Sequence, residues 1–327
     1  MQNILDNYAK SIDPRTTLFD IKIDSEANGT LTLSGRVLDS SQLDVLPRLF
    51  PNQKLDTASI RILNSETHSR AHVTTNLTGL YERPTFGMPL SSELYFGTDL
   101  EILDENGNWV FTRQADGYLG WAYRRYLSEG TAPEATHYVL APVIELREEP
   151  DAGSEVVTRL VSGTAISPEE KRGDWSLVKV NKTGWIPSSS LRALADIPKS
   201  IEEKRSLLVN DAMRLIGIPY LWGGTSGNGI DCSGLARLLY RWVGVAIPRD
   251  ADMQHDTANP VEPPFEIGDL FFFAEGSSKR KITHVGISLG GWKMVHSSRG
   301  RNGIYVDDIQ EVDFLREIYV SAGSFLR

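Results

Sequence analysis

The sequence predicts a string of small α+β and β domains with its chemistry in the last third. Three observations point there: a lone cysteine opening a helical run, an internal repeat of short strands, and an alternating run that begins with a histidine. At 327 residues the chain has room for roughly two or three domains. Apolar residues make up 40% and charged residues 24%, an ordinary globular balance. A net charge of −9, with no Lys/Arg-rich tract, argues against nucleic acid or an anionic membrane as main partner. No apolar run reaches the ~20 residues a spanning helix needs. Met1 to Tyr8 lack the basic and apolar regions of a signal peptide, so a cytoplasmic location is expected, with a trimmed exported form as the alternative. Oligomeric state is not legible, and a monomer is compatible with the sequence.

Residues 1–68 read as a small α+β module. A short polar helix comes first, and Phe19 to Asp24 and Leu31 to Val37 alternate like strands. Ser41 to Phe50 reads as a helix and Ile60 to Leu63 as a last strand. No chemistry is legible in this module.

Residues 69–130 and 137–194 form an internal repeat of about 65 residues. Each copy has a Gly-Thr turn (Gly97-Thr98, Gly163-Thr164) and a strand with a tryptophan (Trp109, Trp175). Each closes on Gly-Trp (Gly120-Trp121, Gly184-Trp185) with a leucine a few residues on. Many short strands with regular turn residues predict small β-barrels, with the tryptophans in their cores. The pattern resembles bacterial SH3-like (SH3b) domains.

Ser200 to Glu203 is a capping box that opens a helix to about Leu215. From 200 to 327 the pattern changes. A Gly-rich run, Leu221 to Gly229, leads into Asp231-Cys232-Ser233-Gly234. After it, Leu235, Leu238, Leu239 and Trp242 recur at helical spacing, and Gly244 can stop the helix. Cys232 is the only cysteine, so no internal disulfide can form. At a helix start the dipole and unpaired N–H groups favour thiolate, so its pKa is expected to be lowered.

A thiol nucleophile needs an imidazole for the proton and a polar group to orient that ring. His284 opens the alternating run His284 to Leu289; a Gly290-Gly291 turn follows, then a second strand, Trp292 to Ser297. With an odd hairpin loop, His284 and His296 share one face and stand directly opposite, with Cβ atoms ~5 Å apart. His255, near Asp252 and Asp256, has spacing poorly suited to a single metal, and no metal or cofactor is expected.

The blocks Pro219-Tyr220-Leu221-Trp222-Gly223-Gly224, Asp231-Cys232-Ser233-Gly234-Leu235, Ile247-Pro248-Arg249-Asp250, Ile267-Gly268-Asp269-Leu270, His284-Val285-Gly286-Ile287 and Met294-Val295-His296-Ser297 occur in that order. Together they resemble the NlpC/P60 family of cell-wall cysteine peptidases over roughly residues 205–327. The resemblance implies a compact papain-like α+β fold and hydrolysis of peptide bonds in peptidoglycan stems. It makes Cys232 the nucleophile, His284 the base and acid, and His296 the orienting residue. Tyr220 is expected beside the cysteine, its hydroxyl joining the Cys232 N–H in holding the oxyanion.

SH3b modules ahead of such a domain resemble γ-D-glutamyl-L-diamino acid endopeptidases of the YkfC type. These recycle murein tri- and tetrapeptides and require a free N-terminal L-Ala. A buried anion with hydroxyl partners can select an amine over an acylated nitrogen. Asp250, Tyr118 and Glu82 are the residues implied for that role. Asp231 and Ser233 either meet the D-Glu carboxylate region or serve the helix cap. Ala251 stands where many relatives have serine, which removes one hydrogen bond to substrate. Arg249 and Asp269 read as structural, and Arg299 and Arg301 as a solvated loop. The rival readings are a wall-binding SH3b protein, a general hydrolase of intact wall, and an acyltransferase on the same scaffold.

Overall fold

The computed structural model of the chain describes residues 1–276 and 282–326. Residues 277–281 and 327, within the segment 200–327, lie outside the described residues.

The N-terminal module packs helix α1 (Gln2–Ala9) on a three-stranded sheet of Phe19–Ala27, Thr30–Val37 and Lys54–Ile62, the last two parallel. The helix expected over 41–50 is instead a 3-10 turn, Ser40–Leu43, and a single α-turn, α2 (Leu46–Leu49). Pro47 is the reason: it has no N–H to donate back and its ring clashes with a preceding helical turn, so it is tolerated in the first turn of α2 but a helix from 41 cannot run through it.

The two repeats fold alike. Strands 69–73, 77–81, 90–95, 99–106, 109–113, 119–123 and 127–129 build one seven-stranded sheet. Their counterparts from 137 to 193 follow in the same order, split between a three- and a five-stranded sheet. The tryptophans are not in the inner clusters, contrary to expectation. Val110 and Ala122 fill the first barrel and Val178 and Ile186 the second. Their neighbours Trp109, Trp121 and Trp185 therefore face outward by the two-residue period of a strand. Trp121 instead packs with Leu38, Leu63, Leu103, Phe111 and Leu119 in the seam between the first barrel and the N-terminal module.

The last domain begins with α3 (Ile201–Arg214), whose N-cap Ser200 accepts from the Glu203 N–H. Then come α4 (Cys232–Trp242), α5 (Ala251–Thr257), and an antiparallel six-stranded sheet ordered 259–261, 319–324, 270–273, 284–288, 293–298, 303–308, with α6 (Asp313–Ile318) before its last strand in sequence. The apolar face of α4 (Leu235, Leu238, Leu239, Trp242) shares a core with Val285, Ile287 and Val295 of the sheet. Gly244 ends α4 with φ +72°: its N–H donates to Arg241 O and the Val245 N–H to Tyr240 O, a Schellman closure.

Candidate active site

Cys232 is the first residue of α4, and Asp231 is its N-cap, accepting from the Gly234 N–H at 2.7 Å. The other Asp231 oxygen takes the Gly223 N–H at 2.9 Å, which ties the Gly-rich loop to the helix start. Gly223 has φ +76°, and a Cβ there would run into the Leu90 carbonyl of the first barrel. The loop thus wedges between the barrel and the start of α4.

The strand pair 284–288 and 293–298 turns through three residues, Gly290 to Trp292, with Leu289 donating to Lys293 O. The odd loop puts His284 and His296 on one face as expected. They are not directly opposite, however. Ile287 pairs with Val295, so His296 faces Gly286 and His284 lies two residues away on the diagonal. The rings still meet, with His284 Nε2 and His296 Nδ1 2.7 Å apart. Gly286 makes room: a Cβ there would collide with the Met294 sulfur and press on His296. The diagonal continues one strand further. His296 pairs with Tyr305, and Asp307, two residues on, meets His296 Nε2 at 2.8 Å. Arg301 binds the second Asp307 oxygen.

This ladder sets the proton positions. A carboxylate only accepts, so Asp307 keeps a proton on Nε2 of His296. In the neutral pair His296 Nδ1 then accepts from the His284 Nε2–H, and the lone pair of His284 Nδ1 is left for the thiol. The His296 ring N–H, with Arg301 behind it, holds Asp307 below the usual carboxyl range.

The expectation of a lowered thiol pKa is corrected. Burial, with the Asp231 carboxylate next to it, pushes Cys232 up to about 12. The Val285 and Ser233 N–H groups favour thiolate, but they are outweighed. Burial and the His296 ring push His284 down to about 3. At neutral pH the thiol is therefore protonated and the His284 imidazole neutral.

Tyr220 is half-buried, and burial together with Cys232 and Asp231 raises its hydroxyl pKa, which keeps the O–H a donor beside the sulfur. Asp231 and Ser233 are built into the protein. Arg249, 1% exposed, pairs with both Asp231 oxygens at 2.7 and 3.1 Å and donates to Ser233 Oγ at 3.0 Å. That leaves Asp231 to the cap. Asp250, next in the chain, accepts from the Tyr118 hydroxyl at 2.9 Å across the domain boundary. Burial, then Asp250, raises the Tyr118 pKa, so it too remains a donor. The Asp116 carboxylate, which takes the Tyr118 N–H, also binds Arg237 of α4 and so fixes the turn. Glu82 is set apart. It is exposed and lines a cavity of about 240 Å³ with Ile12, Pro14, Arg36 and Trp121. Among the described residues no hydrogen bond or ion pair joins it to Tyr118 or Asp250. Two further residues escaped the sequence reading. Asp307 sits two strands from His284, and only the register of the third strand could have revealed it. Arg15, in the N-terminal module, also bonds Asp250. Among the described residues no His/Cys/Asp/Glu group is arranged to hold a metal, and no helix is long and apolar enough to cross a membrane.

The geometry agrees with what the chain is similar to. Residues 217–322 match the NlpC/P60 family, 142–192 a bacterial SH3 domain, and 80–123 the bacterial dipeptidyl-peptidase SH3 domain. The γ-D-glutamyl-L-lysine dipeptidyl-peptidase of Bacillus cereus is 25% identical over 268 residues, covering 72% of this chain and 75% of that one. The Bacillus subtilis enzyme of the same name is 26% identical, covering 70% and 79%. Dipeptidyl-peptidase 6 of Lysinibacillus sphaericus is 28% identical, covering 72% and 90%. The crystal structure of an NlpC/P60 family protein from Bacillus cereus superposes with a TM-score of 0.69 at 22% identity, covering 79% of this chain and all of that one. With its Cys232-bearing helix against a histidine-lined antiparallel sheet, the C-terminal domain of this chain belongs to the NlpC/P60 family of peptidases, and bacterial SH3 domains precede it.

Proposed function

We propose that the chain is a cysteine endopeptidase for murein peptides that cuts the γ-D-glutamyl–diamino acid bond and takes substrates with a free N-terminal L-Ala. One observation carries this reading: the carboxylate of Asp250 and the hydroxyl of Tyr118 meet across a domain boundary, one residue along from Arg249, which holds the residue before Cys232. An anion and a hydroxyl at that place favour an ammonium and reject an acylated nitrogen. The names of the relatives support the same bond and the same end of the substrate.

In this mechanism Cys232 Sγ attacks the γ-carbonyl of D-Glu while its proton passes to His284 Nδ1. The Tyr220 hydroxyl and the Cys232 N–H donate to the oxyanion. Collapse expels the diamino acid amine, which takes the proton from His284, and leaves a thioester on Cys232. Water, deprotonated by His284, hydrolyses it and frees L-Ala-D-Glu. A stem peptide still joined to glycan has its first nitrogen acylated and carries no ammonium at that end. The reading therefore favours peptides already released from the wall, a recycling role in the cytoplasm, over hydrolysis of intact wall.

The test is turnover of L-Ala-γ-D-Glu-L-Lys and of the diaminopimelate tripeptide, each with a free and an N-acetylated alanine. Cleavage of the free forms, lost in Cys232→Ala with an unchanged melting curve, is expected. Equal rates on free and acetylated peptides would replace the reading with a general wall hydrolase.

A further inference from the structure

Residues 1–79 precede all three matched segments, yet they reach the amine pocket. The loop between α1 and the first strand is folded by Asp13, which takes the Arg15 N–H on its side chain at 2.9 Å and the Thr17 N–H on its carbonyl at 3.0 Å. The Arg15 carbonyl accepts from the Leu119 N–H at 2.7 Å, beside Tyr118. Its guanidinium then lies among three carboxylates. Nε and Nη2 bind Asp13 at 2.9 and 2.7 Å, Nη1 and Nη2 grip Asp252 at 2.8 Å each, and Nη1 reaches Asp250 Oδ2 at 2.9 Å.

We propose that Arg15 is a positioning residue for Asp250, the carboxylate that selects the substrate amine, so that the N-terminal module helps to set specificity; this rests on the amine reading above. The bonds define the role. Tyr118 and Arg15 both donate to Oδ2, while Oδ1 is 3.8 Å from Arg249 Nη1. A carboxylate held through one oxygen by donors from two other domains cannot swing, and its remaining lone pairs point in a fixed direction. Charge does not argue for a plug. Asp13, Asp250 and Asp252 surround one guanidinium, an excess of two negative charges, and Arg249 is already paired with Asp231. The site therefore still attracts an ammonium with Arg15 in place. The support beneath Arg15 is rigid: the apolar seam around Trp121 and the pairing of Arg36 and Arg61 with Asp104 fasten the module to the first barrel.

The test measures kcat/KM for L-Ala-γ-D-Glu-L-Lys and its N-acetyl form in the full chain, in Arg15→Ala and in Arg15→Lys. Arg15→Ala is expected to lower the free-to-acetylated ratio about 10-fold, mainly through KM on the free peptide, the scale of one charge-assisted contact loosened. Arg15→Lys keeps the charge but not the fork, and recovers part of the ratio, to within about 3-fold of wild type. Thermal melts check that both fold, and the lysine variant carries the test where alanine does not. A wild-type enzyme that discriminates, with Arg15 variants that discriminate equally or lose both activities in proportion, overturns the role of Arg15 alone. A wild-type enzyme that does not discriminate overturns the amine reading itself, and Arg15 with it.

Discussion

Arg249 and Asp231 form a buried two-bonded ion pair that links the residue before Asp250 to the residue before Cys232. Arg249 also reaches Ser92 of the first barrel and Ser233 of α4. Burial would lower its pKa, but the Asp231 and Asp250 carboxylates together outweigh it and keep it raised, so the guanidinium stays charged at any working pH. The start of α4, the turn before Asp250 and the first barrel are thereby braced by one guanidinium.

Arg249→Met leaves Asp231 buried without its partner. Loss of about 3–5 kcal/mol of stability is expected, read as an earlier urea midpoint, together with loss of turnover. A midpoint within error of wild type would show the pair to be dispensable.

Asp307→Asn places an amide that can donate where a pure acceptor stood. His296 can then present the wrong nitrogen to His284, and kcat should fall on the order of 10³-fold. The melting temperature reports whether the fold is retained, and unchanged kcat would remove Asp307 from the relay.

Tyr220→Phe removes the hydroxyl proposed as an oxyanion donor and no charge. A fall in kcat of about 10- to 100-fold is expected with KM nearly constant. A change confined to KM would make Tyr220 a ground-state contact instead.

Cys232, with its thiol pushed up to about 12, should be alkylated by iodoacetamide at a rate that climbs about tenfold per unit between about pH 7 and 9. A plateau in that range would show a preformed thiolate–imidazolium pair.

His284 is pushed down from 6.5 to about 3. Between those values the unfolded chain binds a proton that the folded chain refuses, so stability falls as pH drops from 6.5 toward 3. Asp307, held low, adds a loss as pH falls through its folded value. In His284→Asn the decline between about pH 6 and 4 should be shallower than in wild type; an identical slope would mean that ring does not report burial.

Much of this architecture can be read from local signals. Ser200 and Asp231 announce helix starts, Gly244 a helix end, and the odd hairpin loop places both histidines on one face. These depend on residues close in sequence. What escaped depends on register and on meetings between distant segments. The offset of His296 by two residues, the place of Asp307 on the next strand and the outward turn of Trp121 are set by pairing and docking, which local periodicity does not encode. The protonation of Cys232 was missed for a related reason. A helix start is visible in sequence, but the burial that overrides it is a property of the packed domain. Arg15 could not be seen at all, because 235 residues separate it from Asp250.

Tyr118 comes from a barrel turn, and the carboxylate it touches comes from the domain that holds the sulfur. In the proposed function the ammonium-holding end is therefore shared between two bodies while the sulfur belongs to one of them, so the seam between barrel and catalytic domain sets the distance from that end to the sulfur.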